Sequence, residues 1–171
     1  MRLWLVEIFA AIVMLGTTSV AVAGPFEEAV AAYERKDYAR AKALMVPLAE
    51  QGYSDAQREL AGWYMTGWAF PTNDAEAFKW YQRAAAQGDA SAMNQLGWFY
   101  ADGYGGVTVN KYFSYVWFAL SAKHASNSGT RANSEDLRDT GARGLSGAQV
   151  AEAMKFIGDW KPKPEMPTSR P

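Results

Sequence analysis

Apolar residues recur along the chain at intervals of three and four, the spacing that places side chains on one face of an α-helix. Two matching stripes, whose members lie four residues apart, are Ala56, Leu60, Tyr64 and Ala92, Leu96, Tyr100. Another stripe combines the small Ala77 with the bulky Trp80 and Tyr81. This alternation suits closely packed helices, because a ring on one helix enters the space beside an alanine on the next. Since no stretch shows the two-residue alternation of a strand over more than a few positions, the pattern predicts an all-α protein.

The stripes predict eight helices, arranged as four consecutive pairs. Their predicted ranges are 26–35 with 38–51, 54–66 with 73–87, 90–102 with 110–125, and 131–144 with 147–160. Four glycines, which tolerate the left-handed backbone that ends many helices, fall where helices should stop: Gly52, Gly67, Gly88 and Gly103. Capping-box patterns begin at Ser54, Asn73 and Ser146, and Pro47 is expected to kink the second helix or to start a new turn in it.

The sequence also repeats itself at an offset of 36 residues. Seven positions in a stretch of nineteen are identical under this offset, where chance would give roughly one or two. The recurring residues are Ala49, Gln51, Gly52, Ala56, Leu60, Tyr64 and Gly67, aligned with Ala85, Gln87, Gly88, Ala92, Leu96, Tyr100 and Gly103. A period of this length, with small residues and aromatics at fixed places, predicts a solenoid of helical hairpins.

The middle of the chain carries a longer motif that combines these positions. It reads Ala56-x-x-x-Leu60-x-x-x-Tyr64-x-x-Gly67, followed by Asp74-x-x-Ala77-x-x-Trp80-Tyr81-x-x-Ala84-Ala85-x-Gln87-Gly88. This motif resembles the Sel1-like repeat, a relative of the tetratricopeptide repeat, and the likeness extends over residues 27–125. The resemblance implies a short right-handed α-solenoid of antiparallel helix pairs over residues 24–161, in which the last pair closes the array as a cap.

Composition narrows the class of function. Lysine and arginine (17) nearly balance aspartate and glutamate (18), so the net charge of -1 gives no general attraction for nucleic acid or anionic lipid. The 171-residue chain has no cysteine and one histidine, His124. These counts exclude thiolate catalysis, disulfides and Cys/His zinc sites, and they leave a Ser/His/Asp triad only through His124. We therefore predict a protein that is not an enzyme, with no catalytic residue, no metal and no cofactor.

Residues 1–23 have the features of an export signal. Arg2 supplies the positive start, an apolar stretch runs over residues 8–22, and an Ala-x-Ala cleavage site ends at Ala23. We predict a mature chain that begins at Gly24 and is periplasmic or secreted. The alternative is an uncleaved inner-membrane anchor, which would be the protein's one contact with the membrane.

Prolines are concentrated after the last predicted helix. Four of the seven prolines fall within residues 162–171. Because proline can neither continue a helix nor donate to a sheet, this stretch is predicted to be an extended, disordered tail. The alternative is a docking peptide for a partner.

The family resemblance also indicates where a partner would bind. In tetratricopeptide-like folds, the first helix of each pair turns one face toward the concave groove, and the matching stripe here is mostly polar. The candidate partner-binding residues are Asp55, Arg58, Met65, Ser91, Asn94, Trp98 and Asp102. Aromatic residues in the loops between helices are secondary candidates: Trp68, Phe70 and Tyr104.

These features predict a non-catalytic exported repeat protein that mediates protein–protein interactions in the bacterial cell envelope through its concave face. The partner would be an unidentified envelope protein or peptide, with Trp98 as an aromatic anchor. The alternative is a protein that binds carbohydrate or cell-wall glycan, with Trp68, Trp98 and Tyr104 as stacking platforms.

The export signal leads to a prediction about mass. Cleavage after Ala23 removes residues 1–23, so the untagged protein purified from the envelope should have the intact mass of the chain from Gly24 onward. Electrospray mass spectrometry measures this mass directly. A product that retains Met1 would contradict cleavage and favour the membrane anchor.

Overall fold

The computed structural model describes residues 24–165, which form eight α-helices and one short 3₁₀ turn. The helices are α1 (Pro25–Glu34), α2 (Tyr38–Glu50), α3 (Ser54–Thr66), α4 (Asp74–Ala86), α5 (Ala90–Asp102), α6 (Lys111–His124), α7 (Ser128–Ala142) and α8 (Gly147–Asp159), with the 3₁₀ turn at Tyr104–Gly106. No strand occurs within this range, so the prediction of an all-α fold is confirmed. No helix of the described residues is both long and apolar enough to cross a membrane. The predicted export signal, residues 1–23, lies outside the described residues, as do residues 166–171.

The helices end largely where the pattern of glycines predicts. Gly67 and Gly103 follow α3 and α5 in the left-handed conformation, with φ of 74° and 77°. Their backbone N–H groups donate to carbonyls of the preceding turn, which satisfies acceptors that a helix end leaves open. The second helix, α2, runs through Pro47 as one helix, so this proline does not divide it.

The start of α7 differs from the prediction. The helix begins at Ser128 rather than at residue 131, because the Asn127 side chain accepts a hydrogen bond of 2.7 Å from the backbone N–H of Thr130. Asparagine is among the strongest residues at a helix N-cap. The apolar pattern gives no sign of this first turn, since residues 128–131 are polar or small.

Two of the three predicted caps are confirmed. The side chains of Asn73 and Ser146 each accept a hydrogen bond from the backbone N–H three residues later. The prediction at Ser54 is wrong, because Tyr53 occupies the cap position of α3. The Ser54 hydroxyl instead donates to the Ala84 carbonyl of α4, 3.5 Å away.

The helices pack as consecutive pairs. Within pairs, α1 packs against α2, α3 against α4 and α5 against α6, and neighbouring pairs join through α2 with α3 and α4 with α5. The fourth pair closes the array differently, because α7 and α8 both pack on α6. One core cluster fills α1 to α3 and a second fills α3 to α8; Tyr64 and Trp80 contact both clusters and join them.

The predicted tail is not free along its first four residues. Residues 162–165 turn back from α8 onto α4, where the Lys163 N–H donates to the Ala86 carbonyl at 2.8 Å and Glu165 pairs with Arg83. These residues therefore have defined contacts with the repeats, and the disorder of residues 162–171 stays a prediction. Side chains far away in sequence hold them, which composition alone cannot reveal.

Gly97 of α5 lies directly against Phe118 of α6, the helix with which α5 is paired. A Cβ atom at this position would lie 2.5 Å from Cε1 of Phe118, whose ring is buried between the two helices. Carbon atoms in well-packed interiors do not approach so closely, so only glycine permits this approach. Gly62 of α3 offers a contrast, because a Cβ there would meet no atom nearer than the Tyr81 hydroxyl at 3.7 Å.

This contrast predicts opposite effects for the same substitution. Gly97→Ala should lower the free energy of unfolding by about 1–3 kcal/mol, because the Phe118 ring must move in a packed core. Gly62→Ala should leave it unchanged or raise it by up to about 1 kcal/mol, the gain in helix propensity. Urea unfolding followed by circular dichroism at 222 nm measures both. Equal effects of the two substitutions would contradict the packing argument.

Candidate functional site

Two polar clefts adjoin where α3, α5 and α7, the first helices of three successive pairs, come together. The larger has a volume of about 430 Å³ and the smaller of about 330 Å³. The larger cleft is lined by Asp55, Arg58, Gly88, Asp89, Ala90, Ser91, His124, Ala125, Ser126, Asn127 and Thr130. The smaller is lined by Ser91, Asn94, Gln95, Gly129, Thr130 and Asn133. Because Ser91 and Thr130 line both, the clefts form one continuous polar surface.

Arg58 organises the charge of the larger cleft. Its Nε lies 3.2 Å from Oδ2 of Asp89, its Nη1 lies 2.6 Å from Oε1 of Glu59, and its Nη2 lies 3.9 Å from Oδ1 of Asp55. Burial tends to lower the pKa of Arg58, but the three carboxylates outweigh it and raise that pKa above its ordinary value. The guanidinium is therefore a fixed positive charge among the chain's own carboxylates.

Asp89 also lines the larger cleft, although it is not among the candidate residues predicted from the sequence. It is the N-cap of α5, where its side chain accepts a 2.7 Å hydrogen bond from the backbone N–H of Ala92. Burial raises the pKa of its carboxyl, although this hydrogen bond and the charge of Arg58 both act to lower it. The signal was present, since an aspartate directly after Gly88 and before an apolar stripe is a typical helix start.

Asn94 fixes the floor of the smaller cleft rather than standing free in it. Its Nδ2 donates to Oγ of Ser134 at 2.9 Å and to Oδ1 of Asn133 at 3.3 Å, which ties α5 to α7. The Ser134 hydroxyl also contacts the Ser121 hydroxyl at 2.8 Å, and Ser121 donates to the Ala90 carbonyl at 2.7 Å. Ser121 and Ser134 are fully buried. This chain of hydrogen bonds holds the two helices at the spacing that leaves the cleft open.

His124 borders the larger cleft but has no catalytic partner among the described residues. Its ring lies edge to face against Trp160, with ring centroids 4.9 Å apart. Its Nε2 is buried and makes no hydrogen bond. Burial first, then the charges of Lys123 and Lys161, lower the pKa of the imidazole, which favours its neutral form. A nucleophilic triad would need a carboxylate that orients this ring, and residues 24–165 contain no cluster of acidic or histidine side chains suited to a metal ion.

The predicted partner-binding residues divide into two groups. Asp55, Arg58, Ser91 and Asn94 line the clefts. The other three do not: Met65 is half-buried against the second core cluster, Asp102 is exposed at the end of α5, and Trp98 is 37% exposed.

Trp98 has one exposed face and one structural contact. Its ring packs edge to face on Phe118 of α6, with centroids 5.6 Å apart and planes at 82°. Part of its surface therefore covers the helix pair to which it belongs, and the rest is available to a partner.

The loop aromatics differ sharply in exposure. Phe70 is buried, at 6% exposure, because it stacks on Tyr64 with a centroid distance of 4.4 Å. The prediction that Phe70 faces a ligand is thus wrong. Trp68 is 64% exposed and lies nearly parallel to Tyr33, and Tyr104 is 45% exposed.

Comparison with known proteins identifies the repeats. A model of the Sel1 repeat family matches residues 54–89 and 90–126, which are α3 with α4 and α5 with α6. Over 77 residues the chain is 36% identical to chitin synthase regulatory factor 3 of Schizosaccharomyces pombe. This stretch is 44% of the present chain and 8% of that protein. The predicted resemblance to Sel1-like repeats is confirmed.

Two solved structures share the fold. One is a protective antigen of uropathogenic Escherichia coli strains that displays an SLR fold, with a TM-score of 0.66, 22% identity, and coverage of 79% of this chain and 29% of that one. The other is a Sel1 repeat protein from Oxalobacter formigenes, with a TM-score of 0.54, 21% identity, and coverage of 78% and 59%. The present chain spans less than two thirds of each of these relatives. The structural likeness confirms a helical repeat fold of the Sel1 type.

Removal of the Arg58 charge should expose the carboxylates that it compensates. Arg58→Gln should raise the pKa of Asp89 further and lower the free energy of unfolding at pH 7 by about 1–2 kcal/mol, because a buried carboxylate loses its partner. This loss of stability should shrink as the pH falls through the pKa of Asp89, because the protonated carboxyl is neutral and no longer needs a cation beside it. Urea unfolding at a series of pH values and a ¹³C NMR titration of Asp89 measure these effects.

Arg138→Gln is the matched control. Arg138 pairs with Asp139, whose side chain is 66% exposed. The same substitution there should change stability by less than about 0.5 kcal/mol. A loss at Arg58 that persists undiminished at acid pH would mean that Arg58 acts by packing rather than by charge.

Proposed function

Because the chain carries two Sel1 repeats, we propose that it is a non-catalytic exported scaffold that binds a protein or peptide of the cell envelope through the adjoining clefts of α3, α5 and α7. Sel1 repeat proteins generally mediate protein–protein interactions, and their fold is typically a scaffold without catalysis. The observation that carries the proposal is the continuity of the two clefts across three successive helix pairs, through Ser91 and Thr130.

The chemistry of the clefts suits a polypeptide. Hydroxyl and amide groups of Ser91, Asn127 and Thr130 can donate to and accept from a peptide backbone, which carries both kinds of group at every residue. Two adjoining cavities, rather than one enclosed apolar pocket, suit successive side chains of an extended segment better than a single small molecule. The net charge of -1 means that recognition depends on these local contacts rather than on long-range attraction.

We propose that the chain has no catalytic step, on the basis of its histidine and the residues around it. His124 is the chain's one histidine, and its ring is held by Trp160 rather than by a carboxylate. The proposed export depends on the Ala-x-Ala site that ends at Ala23, and places the partner in the envelope.

Glycan binding is a second candidate, favoured by one observation. Trp68 is 64% exposed and its ring stacks near Tyr33 at a tilt of 14°, which presents a flat aromatic surface of the kind that sugars stack on. The other two candidate rings contact different partners, Tyr104 against Phe99 and Trp98 against Phe118. The three rings make no ring contact with one another among the described residues, which favours the protein-binding proposal.

Blocking the shared wall of the clefts tests the proposal. Ser91 is exposed in the first turn of α5, so Ser91→Tyr should fill space in both clefts without disturbing the core. We expect capture of envelope proteins by chemical crosslinking to fall at least about tenfold, as for the loss of a central contact. Ala151→Tyr, at an exposed position of α8, is the control and should leave capture unchanged.

A third variant separates the two candidates. Trp98→Ala should weaken capture of an envelope protein if the partner is a polypeptide, and should weaken binding of soluble cell-wall glycan fragments in calorimetry if the ligand is a sugar. Equal capture by the wild-type chain and Ser91→Tyr would reject the clefts as the binding surface.

A further inference from the structure

Residues 162–165, here called the docking segment, lie against the ends of α3 and α4. Pro162 and Pro164 have no backbone N–H, so the segment has two backbone donors. The Lys163 N–H donates to the Ala86 carbonyl at 2.8 Å, and the Glu165 N–H donates to Oε1 of Gln87 at 3.4 Å. Both donors are therefore satisfied by the repeats. Each proline also favours an extended conformation in the residue before it, which keeps the segment open rather than helical.

The carboxylate of Glu165 makes the strongest contacts of the segment. Arg83 donates to it from Nε at 3.1 Å and from Nη2 at 2.5 Å, in a two-pronged geometry that is specific for carboxylates. Gln57 adds a hydrogen bond of 3.0 Å from Nε2, and its side chain is fully buried. A buried amide directed at a carboxylate is a built feature rather than a chance surface contact. The hydrogen bonds from Arg83 lower the pKa of Glu165.

The residues that receive the segment are held in place by the repeats themselves. The Arg83 guanidinium lies over the Trp80 ring, 4.7 Å from its centroid. Gln87 donates to the Gly52 carbonyl at 2.9 Å and to Oε1 of Gln57 at 2.8 Å. None of these contacts involves the docking segment, so the receiving surface keeps its own hydrogen bonds when the segment leaves.

We propose that Gln57, Arg83, Gln87 and the Ala86 carbonyl form a peptide-binding cradle, and that the docking segment occupies it in place of a partner. The ligand class is an extended, proline-containing segment with a glutamate. The arginine and the buried amide bind the glutamate carboxylate, the Ala86 carbonyl accepts from a backbone N–H two residues earlier, and prolines are tolerated where no donor is needed. The cradle borders the larger cleft, because Pro162 packs at Gly88, a lining residue of that cleft.

Because the docking segment occupies the cradle, it should compete with an added peptide of the same sequence. A fluorescein-labelled peptide with the sequence of residues 160–167 is the probe, and fluorescence anisotropy reports its binding to the full chain. Glu165→Ala should bind the peptide at least about tenfold more tightly than the wild type, because it weakens the competing segment. The same peptide with glutamine in place of its glutamate should bind Glu165→Ala at least about tenfold more weakly.

A matched pair of arginine variants locates the site. Arg83→Ala added to Glu165→Ala should weaken peptide binding at least about tenfold, whereas Arg138→Ala added to Glu165→Ala should change it by less than about twofold. Failure of the peptide to bind Glu165→Ala would overturn the proposal, and so would equal binding of the glutamate and glutamine peptides. The comparison of the glutamate and glutamine peptides uses the Glu165→Ala protein alone, so it remains valid even if Arg83→Ala impairs folding.

Discussion

The close approach of paired helices is the constraint on which the rest of this structure depends. Ala56 and Ala92 are fully buried, and Gly97 lies against the Phe118 ring with no room for a Cβ atom. Small side chains at these positions let the helices approach closely, and aromatic rings from neighbouring helices fill the remaining space between them. This packing uses one stripe of α3 and α5. The polar stripe beside it, which carries Arg58 and Ser91, is then left to form the clefts.

The turn between the second and third pairs shows how one local structure supports two surfaces. Gly88 has φ of 102°, a conformation that other residues rarely adopt, and it reverses the chain between α4 and α5. On one side of it, Gln87 reaches back to the preceding turn and forms part of the cradle. On the other, Asp89 caps α5 and faces Arg58 in the larger cleft. The cradle and the cleft are therefore fixed relative to each other by three consecutive residues.

The periodic spacing of apolar residues was sufficient to predict the helices. It was not sufficient to predict the contacts between residues that lie far apart in the sequence. All eight helices were predicted, since apolar spacing and glycines are local signals, and four cleft residues followed from the repeat stripe. Thr130 and Asn127 were missed, because they line a cleft only through the way α7 packs on its neighbours. The position of Glu165 depends on Gln57, 108 residues earlier. Phe70 was placed wrongly for the same reason, because the loop that carries it folds back onto Tyr64.

The two arginines of the proposed surfaces differ in what they can offer a partner. Arg58 lies among three carboxylates, Asp55, Glu59 and Asp89, which belong to helices or helix caps and remain in place. An acidic ligand in the larger cleft would have to displace or face these charges, so the cleft suits segments that bind by neutral hydrogen bonds. Arg83 pairs with Glu165, which lies on a short segment that can leave without opening a helix. The acidic recognition proposed above is therefore concentrated at the cradle, where Glu165 contacts Arg83 and Gln57, whereas Pro162 at the other end of the segment lies at Gly88, beside the larger cleft.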